Sequence, residues 1–142
     1  MRLPAHIAQS GLESSLLDLV YLRVSQLNGC SPCVDAHARD AITHGLDQRL
    51  VDDIVVWRES SLFTERQRVA LAWTDAVTEI AKTGAPDDVY REAADRFSET
   101  ELVDLTLAIA LMNAFARIAV AFRHGPPPMP AVSEGAATSS GG

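Results

Sequence analysis

Asn28-Gly29-Cys30-Ser31-Pro32-Cys33-Val34-Asp35-Ala36-His37 joins two helical segments and holds both cysteines of the chain, spaced C-x-x-C, with a histidine four residues after the second. Ser31 suits an N-cap, and Pro32 suits the first helical position, where a missing N–H costs nothing. Cys33 then falls in the first turn, where unpaired backbone N–H groups and the positive end of the helix dipole favour a thiolate. His37 lies one turn on, on the face of Cys33. A reactive thiol needs a base to take its proton and a second thiol to close a disulfide, and this segment offers both.

Outward from that segment, the apolar spacing is helical. Glu13 to Leu27 reads as a first helix, with Leu16, Leu19, Val20, Leu22, Val24 and Leu27 apolar and Asp18 and Arg23 interrupting. Asn28-Gly29 ends it. A second helix runs from about Pro32 to His44, with Gly45 as its C-cap. Asp47 caps a third, short helix reaching about Trp57. Thr64-Glu65-Arg66-Gln67 is a capping box that opens a fourth helix to about Lys82, closed by Gly84. Pro86 starts a fifth, ending near Phe97. Ser98-Glu99-Thr100-Glu101 is a second capping box and opens the longest helix, to about Arg123. No run alternates with a period of two. The expected fold is all-α, about six helices over residues 12–123, with the C-x-x-C at the start of helix 2. Residues 1–11 form a weakly patterned N-terminal arm. Residues 124–142, rich in Pro, Ala, Gly and Ser, are expected to be a disordered tail, because they offer little apolar surface to offset ordering entropy.

A chain of 142 residues is one domain in size, and its net charge of -7 argues against nucleic-acid partners and anionic membrane surfaces. Near Met1 no charged region precedes an apolar one, so no secretory signal and a cytoplasmic location are expected. From Leu105 to Phe122 the last helix is almost continuously apolar and approaches the length of a membrane span. Arg117 inside it and its many alanines favour a buried core helix instead. One chain of this size has little room to bury every face of such a helix, so a homo-oligomer is expected. Thr106, Asn113 and Arg117 share one face of it and are expected to form a paired structural network.

For site residues, Cys33 is the candidate nucleophile, Cys30 the resolving thiol and His37 the base. His44, near the end of the second helix, is expected to serve the helix dipole only. Asp18 could orient His37 from the first helix, or simply meet Arg23 or solvent. Two other readings use the same residues. One is a zinc-binding structural module with Cys30, Cys33, His37 and Asp18 as ligands, although a second Cys or His pair is missing. The other is a redox-sensing protein whose disulfide cycles without turnover.

The run from Tyr21 through His37 closely resembles the core of the alkylhydroperoxidase D-like proteins, within the carboxymuconolactone decarboxylase superfamily. The resemblance extends from about Ser10 to Arg123 and includes Leu62-Phe63-Thr64-Glu65-Arg66 and the segment from Phe97 to Ile109. It implies an all-helical fold assembled as trimers or hexamers, and hydroperoxide reduction by thiols. It implies no bound cofactor, with electrons from an external dithiol such as a lipoyl protein. It also implies a proton relay in which Cys33 and His37 are joined by a glutamate of the preceding helix, with Cys30 as the partner thiol. That glutamate falls at Asp18, one methylene shorter, and Pro32 stands where some members carry another histidine. The decarboxylase branch lacks the paired cysteines, so its activity is not implied.

Overall fold

A computed structural model describes residues 3–131. The order is α1 (Leu3–Ala8), α2 (Ser14–Leu27), α3 (Ser31–Thr43), α4 (Gln48–Asp53), a 3-10 turn (Ile54–Val56), α5 (Glu65–Thr78), α6 (Ile80–Thr83), α7 (Asp87–Arg96) and α8 (Glu99–Ala121). There is no strand among the described residues. The all-α expectation holds, with eight α-helices in place of about six.

Two features raise the count. The arm contains α1, which packs on α8, so the C-x-x-C opens the third helix. Six residues cannot hold a helix alone. Tertiary contacts do so here: Ile7 is buried, and His6 Nε2 donates to Asp104 Oδ1 at 2.7 Å. The expected fourth helix is interrupted at Glu79 (φ -101°, ψ 31°), which separates α5 from α6. Both capping boxes form as the sequence predicts. Thr64 accepts from the Gln67 N–H at 3.2 Å while Gln67 Oε1 accepts from the Thr64 N–H at 2.9 Å. Ser98 and Glu101 do the same at 3.2 and 2.8 Å. Residues 124–131 carry no regular structure, and the remainder of the expected tail lies outside the described residues.

Helix α2 is the centre of the fold. Between Leu16 and Leu27 none of its residues is fully exposed. Leu17, Val20 and Val24 pack into one apolar cluster with α5, α7 and α8, around Trp73, Leu105 and Ile109. Leu19 and Leu22 pack into a second with α3, the 3-10 turn and α5, around Ile54, Trp57 and Leu71. Each buried leucine contributes about 1.5–3 kcal/mol, so both faces of α2 are held.

Helix α8 is long and apolar enough to cross a membrane by length and composition, yet Leu102, Leu105, Ile109 and Met112 lie in the core. Its other side presents Val103, Phe115 and Ile118, with Phe122 just beyond. The polar residues pair as expected. Trp73 Nε1 donates to Thr106 Oγ1 at 2.9 Å. Asn113 Nδ2 donates to Thr78 Oγ1 (3.1 Å) and to the Ile109 carbonyl (2.9 Å). Asn113 Oδ1 accepts from Arg117 (2.7 Å) and from Asn28 Nδ2 (2.9 Å). Asn28 also donates to the Val24 carbonyl at 2.9 Å, so this network anchors the turn that delivers Cys30. Asn113→Ala strands several partners at once, and an unfolding free energy lower by about 2–3 kcal/mol is expected in urea titrations. A change within the ordinary surface range of about 0.5 kcal/mol would show that the network carries no stability.

Candidate active site

The link between α2 and α3 is short because two residues do most of the turning. Asn28 stays right-handed (φ -84°), and Gly29 takes φ +61°, a value that favours glycine. The Cys30 N–H donates to the Ser25 carbonyl at 3.0 Å, and the Cys30 carbonyl accepts the Val34 N–H at 2.9 Å. Cys30 is therefore the N-cap residue, with extended backbone, and Ser31 is already helical. The expected Ser31 cap is displaced by one residue because the Ser25 carbonyl, at the end of α2, captures the Cys30 N–H. Cys33 still lies in the first turn of α3.

Cys30 and Cys33 are joined as a disulfide with Cα atoms 5.2 Å apart, within the span that such a bridge allows. Cys30 is completely buried and Cys33 only half-buried. His37, one turn on, is half-buried, and its ring lies against that of Tyr21 with centroids 5.5 Å apart. Burial lowers the His37 pKa from its ordinary value of 6.5, and the charges of Asp40 and Asp18 oppose that shift. A neutral imidazole at pH 7 can accept a proton. Burial and then Asp18 raise the Tyr21 phenol above 10.0.

Asp18 is not hydrogen-bonded to His37. Its buried carboxylate is held instead by His44, whose Nδ1 donates at 2.9 Å to Oδ2 and 3.1 Å to Oδ1. The pairs Ser25–Cys30, Tyr21–His37 and Asp18–His44 show that α2 and α3 run antiparallel. That direction sets Asp18 beside the far end of α3, and Tyr21 occupies the position opposite His37. The alternative Asp18–Arg23 contact is also absent, because Arg23 is bound to Asp75 of α5 at 2.7 and 3.1 Å. Sequence reasoning missed Tyr21 and the pairing of His44 with Asp18. The available signal was spacing: Tyr21 is one turn after Asp18, and His44 is two turns after His37 on the same face. Among the described residues no three His, Cys, Asp or Glu side chains gather as a metal site, so the zinc ligand set is not assembled.

A cleft of about 250 Å³ opens between Gly29, Ser31 and Pro32 and the end of α8, with Arg123 and His124 on its rim. A larger one, about 540 Å³, lies among Trp73, Tyr90, Phe97 and Leu102 and touches none of the thiol-site residues.

The model of the carboxymuconolactone decarboxylase family matches residues 2–76, more than half of the chain and all of the thiol site. The uncharacterised protein YdfG of Bacillus subtilis (strain 168) is 30% identical over 121 residues, covering 85% of this chain and 82% of that protein. The chain belongs to the carboxymuconolactone decarboxylase family. Within the family it is AhpD-like. A solved structure of a protein of unknown function from Agrobacterium tumefaciens, suggested to be the antioxidant defence protein AhpD, superposes with a TM-score of 0.87. It is 43% identical and covers 91% of this chain and 88% of its own. The alkyl hydroperoxide reductase AhpD of Coxiella burnetii (strain Dugway 5J108-111) is 36% identical over 59 residues, 38% of this chain and 33% of that protein. These likenesses and the C-x-x-C pair support a peroxidase-related redox role.

The lowered His37 pKa has a consequence for stability in the disulfide form. As pH falls, the unfolded chain takes up a proton at this position before the folded one does, so stability is lost below the ordinary histidine range. Between about pH 7.5 and pH 5.5, wild-type protein should lose more stability in urea titrations than His37→Gln. Equal losses in the two proteins would show that His37 does not carry the effect.

Proposed function

We propose that this chain is a cytoplasmic thiol-dependent hydroperoxide reductase, an AhpD-like peroxidase that takes its electrons from an external dithiol. The observation that carries the reading is the disulfide across the start of α3, with Cys33 half-exposed, Cys30 fully buried and His37 one turn on.

The chemistry balances on those residues. His37 takes the proton of Cys33, and the thiolate attacks the outer oxygen of the hydroperoxide. The O–O bond breaks, an S–O bond forms, and the leaving alkoxide takes a proton from His37 to become an alcohol. The Cys33 sulfenic acid then condenses with the Cys30 thiol, forming the disulfide and releasing water. A dithiol donor, of which a lipoyl group is the type the family resemblance implies, reduces that bond by two thiol exchanges and is itself oxidised to a disulfide. Asp18 favours the charged form of His37 through space. No bound cofactor is needed for any of these steps, and hydroperoxide and donor are the partners. The apolar outer face of α8, with Phe115 and Ile118, supports assembly as a homotrimer or homohexamer.

Stopped-flow mixing with peroxide, followed by dimedone trapping and mass spectrometry, tests the roles of the thiols. Cys30→Ser should consume one equivalent of peroxide and stall with the adduct on Cys33, while Cys33→Ser should lose the fast phase. A fast phase that survives in Cys33→Ser would reverse the assignment. A disulfide that cycles with oxidant but gives no turnover with any dithiol would favour the sensing role.

Light scattering tests the assembly. The mass in solution should be three or six times the 15.3 kDa of the chain, and Ile118→Asp should lower it. A stable wild-type monomer at micromolar concentration would remove the assembly from the proposal.

A further inference from the structure

The cleft beside the start of α3 holds groups that the chemistry above does not use. One wall is the chain that carries the bridge: Gly29, Ser31 and Pro32 flank Cys30 and lead into Cys33. The opposite wall is the end of α8, which brings the Arg123 and His124 side chains to the rim. Among the described residues no carboxylate pairs with Arg123, and its side-chain bond goes to the Val120 carbonyl at 3.3 Å. Arg23, Arg39, Arg58 and Arg66, by contrast, each meet a carboxylate. A guanidinium with free N–H groups matches a carboxylate through two parallel bonds.

The backbone fixes this wall. The His124 N–H donates to the Ala119 carbonyl at 2.9 Å and the Arg123 N–H to the Val120 carbonyl at 3.2 Å. Such a helix end turns left-handed at the residue after the cap, and Arg123 does so with φ +58°. The ends of α2, α3 and α6 meet the same need with Gly29, Gly45 and Gly84. A residue with a Cβ is disfavoured there by roughly 1 kcal/mol. At the end that borders the thiol site the chain carries an arginine instead. Across the cleft, the Cys30 side chain makes no cap bond, so the Ser31 and Cys33 N–H groups have no partner within α3.

The bridge itself calls for such a feature. A thiolate must approach it against a net charge of -7. Cys30 is completely buried, so attack falls on Cys33. A cation at the cleft offsets the repulsion for a reagent that brings its own carboxylate. The cleft, about 250 Å³, takes one such group on a short chain and is below the usual size of a drug-like site.

We propose that this cleft is an acid-binding subsite of the thiol site, in which Arg123, with His124, receives the carboxylate of a small thiol donor as it attacks Cys33. The inference rests on the reading that an external dithiol reduces the bridge, and it names the class of that dithiol as a carboxylic acid. The donor thiolate attacks Cys33 Sγ, a mixed disulfide forms, and the Cys30–Cys33 bond breaks. Cys30 leaves as a thiolate and takes a proton. A second donor thiol then displaces Cys33, so two electrons enter the protein and the donor becomes a disulfide.

The test reduces the full-length disulfide protein at pH 7 and low ionic strength with mercaptopropionate (acidic), mercaptoethanol (neutral) or cysteamine (basic), and follows the loss of the bridge by mass spectrometry. Wild type is compared with Arg123→Gln and Arg123→Gly. Ratios of rates between reagents within one protein, compared across proteins, cancel the intrinsic reactivity of each thiol. The acid-to-neutral ratio should fall about three-fold in both variants, and the basic-to-neutral ratio should rise. Arg123→Gly suits the left-handed backbone, so its urea midpoint should be equal to or above that of wild type, and it keeps the test valid if Arg123→Gln unfolds. An acid-to-neutral ratio unchanged in the variants would overturn the proposal, as would a fall shared by the basic reagent. Peroxide enters none of these measurements. Charge selection without peroxide turnover would overturn the peroxidase role and leave the subsite standing, and turnover without charge selection would do the reverse.

Discussion

Helix α2 has no solvent face along most of its length, and that constraint shapes the rest of the molecule. A helix packed on both sides must find partners for its charged side chains, because an unpaired charge in such a place costs several kcal/mol. Arg23 meets Asp75, which is also held by Arg58 at 2.6 Å and by the Trp57 indole at 3.3 Å. Ser25 donates to the Tyr21 carbonyl one turn back at 2.7 Å. Asp18 meets His44. The partners of Arg23 and Asp18 come from segments that also pack against α2, so these polar pairs and the two apolar clusters fix the same arrangement.

The thiol site inherits its rigidity from this arrangement. Asn28 ties the end of α2 to Asn113 of α8, and Ser25 holds the Cys30 N–H, so the turn is bound to the core on two sides before α3 begins. Cys30 is consequently buried and Cys33 is not. That asymmetry suits a pair in which one thiol meets the substrate and the other only closes the bridge. The C-x-x-C spacing makes the bridge possible. The anchoring of the turn decides which sulfur faces outward.

The register of α2 on α3 sets the neighbours of His37. A carboxylate at position 18 can touch one imidazole of α3, and the antiparallel register presents His44 to it and His37 to Tyr21.

The sequence by itself determined what depends on near neighbours. The two capping boxes, the positive-φ glycines at 29, 45 and 84 and the helical spacing of apolar residues are local. The helices begin and end almost where those signals stand. The placement of Cys33 and His37 on the first turns of one helix is equally local. Tertiary structure decided what depends on residues far apart in the chain. Helix α1 forms because Ile7 and His6 find a surface on the core, which no six-residue window records. Asp18 pairs with His44 rather than His37 or Arg23 because the antiparallel packing of α2 on α3, and the claim of Asp75 on Arg23, choose its partner. Composition marks a buried carboxylate as needing a partner. Only the packing of the helices names it, since the competing partners differ by a few ångströms in space and by no local pattern in the chain.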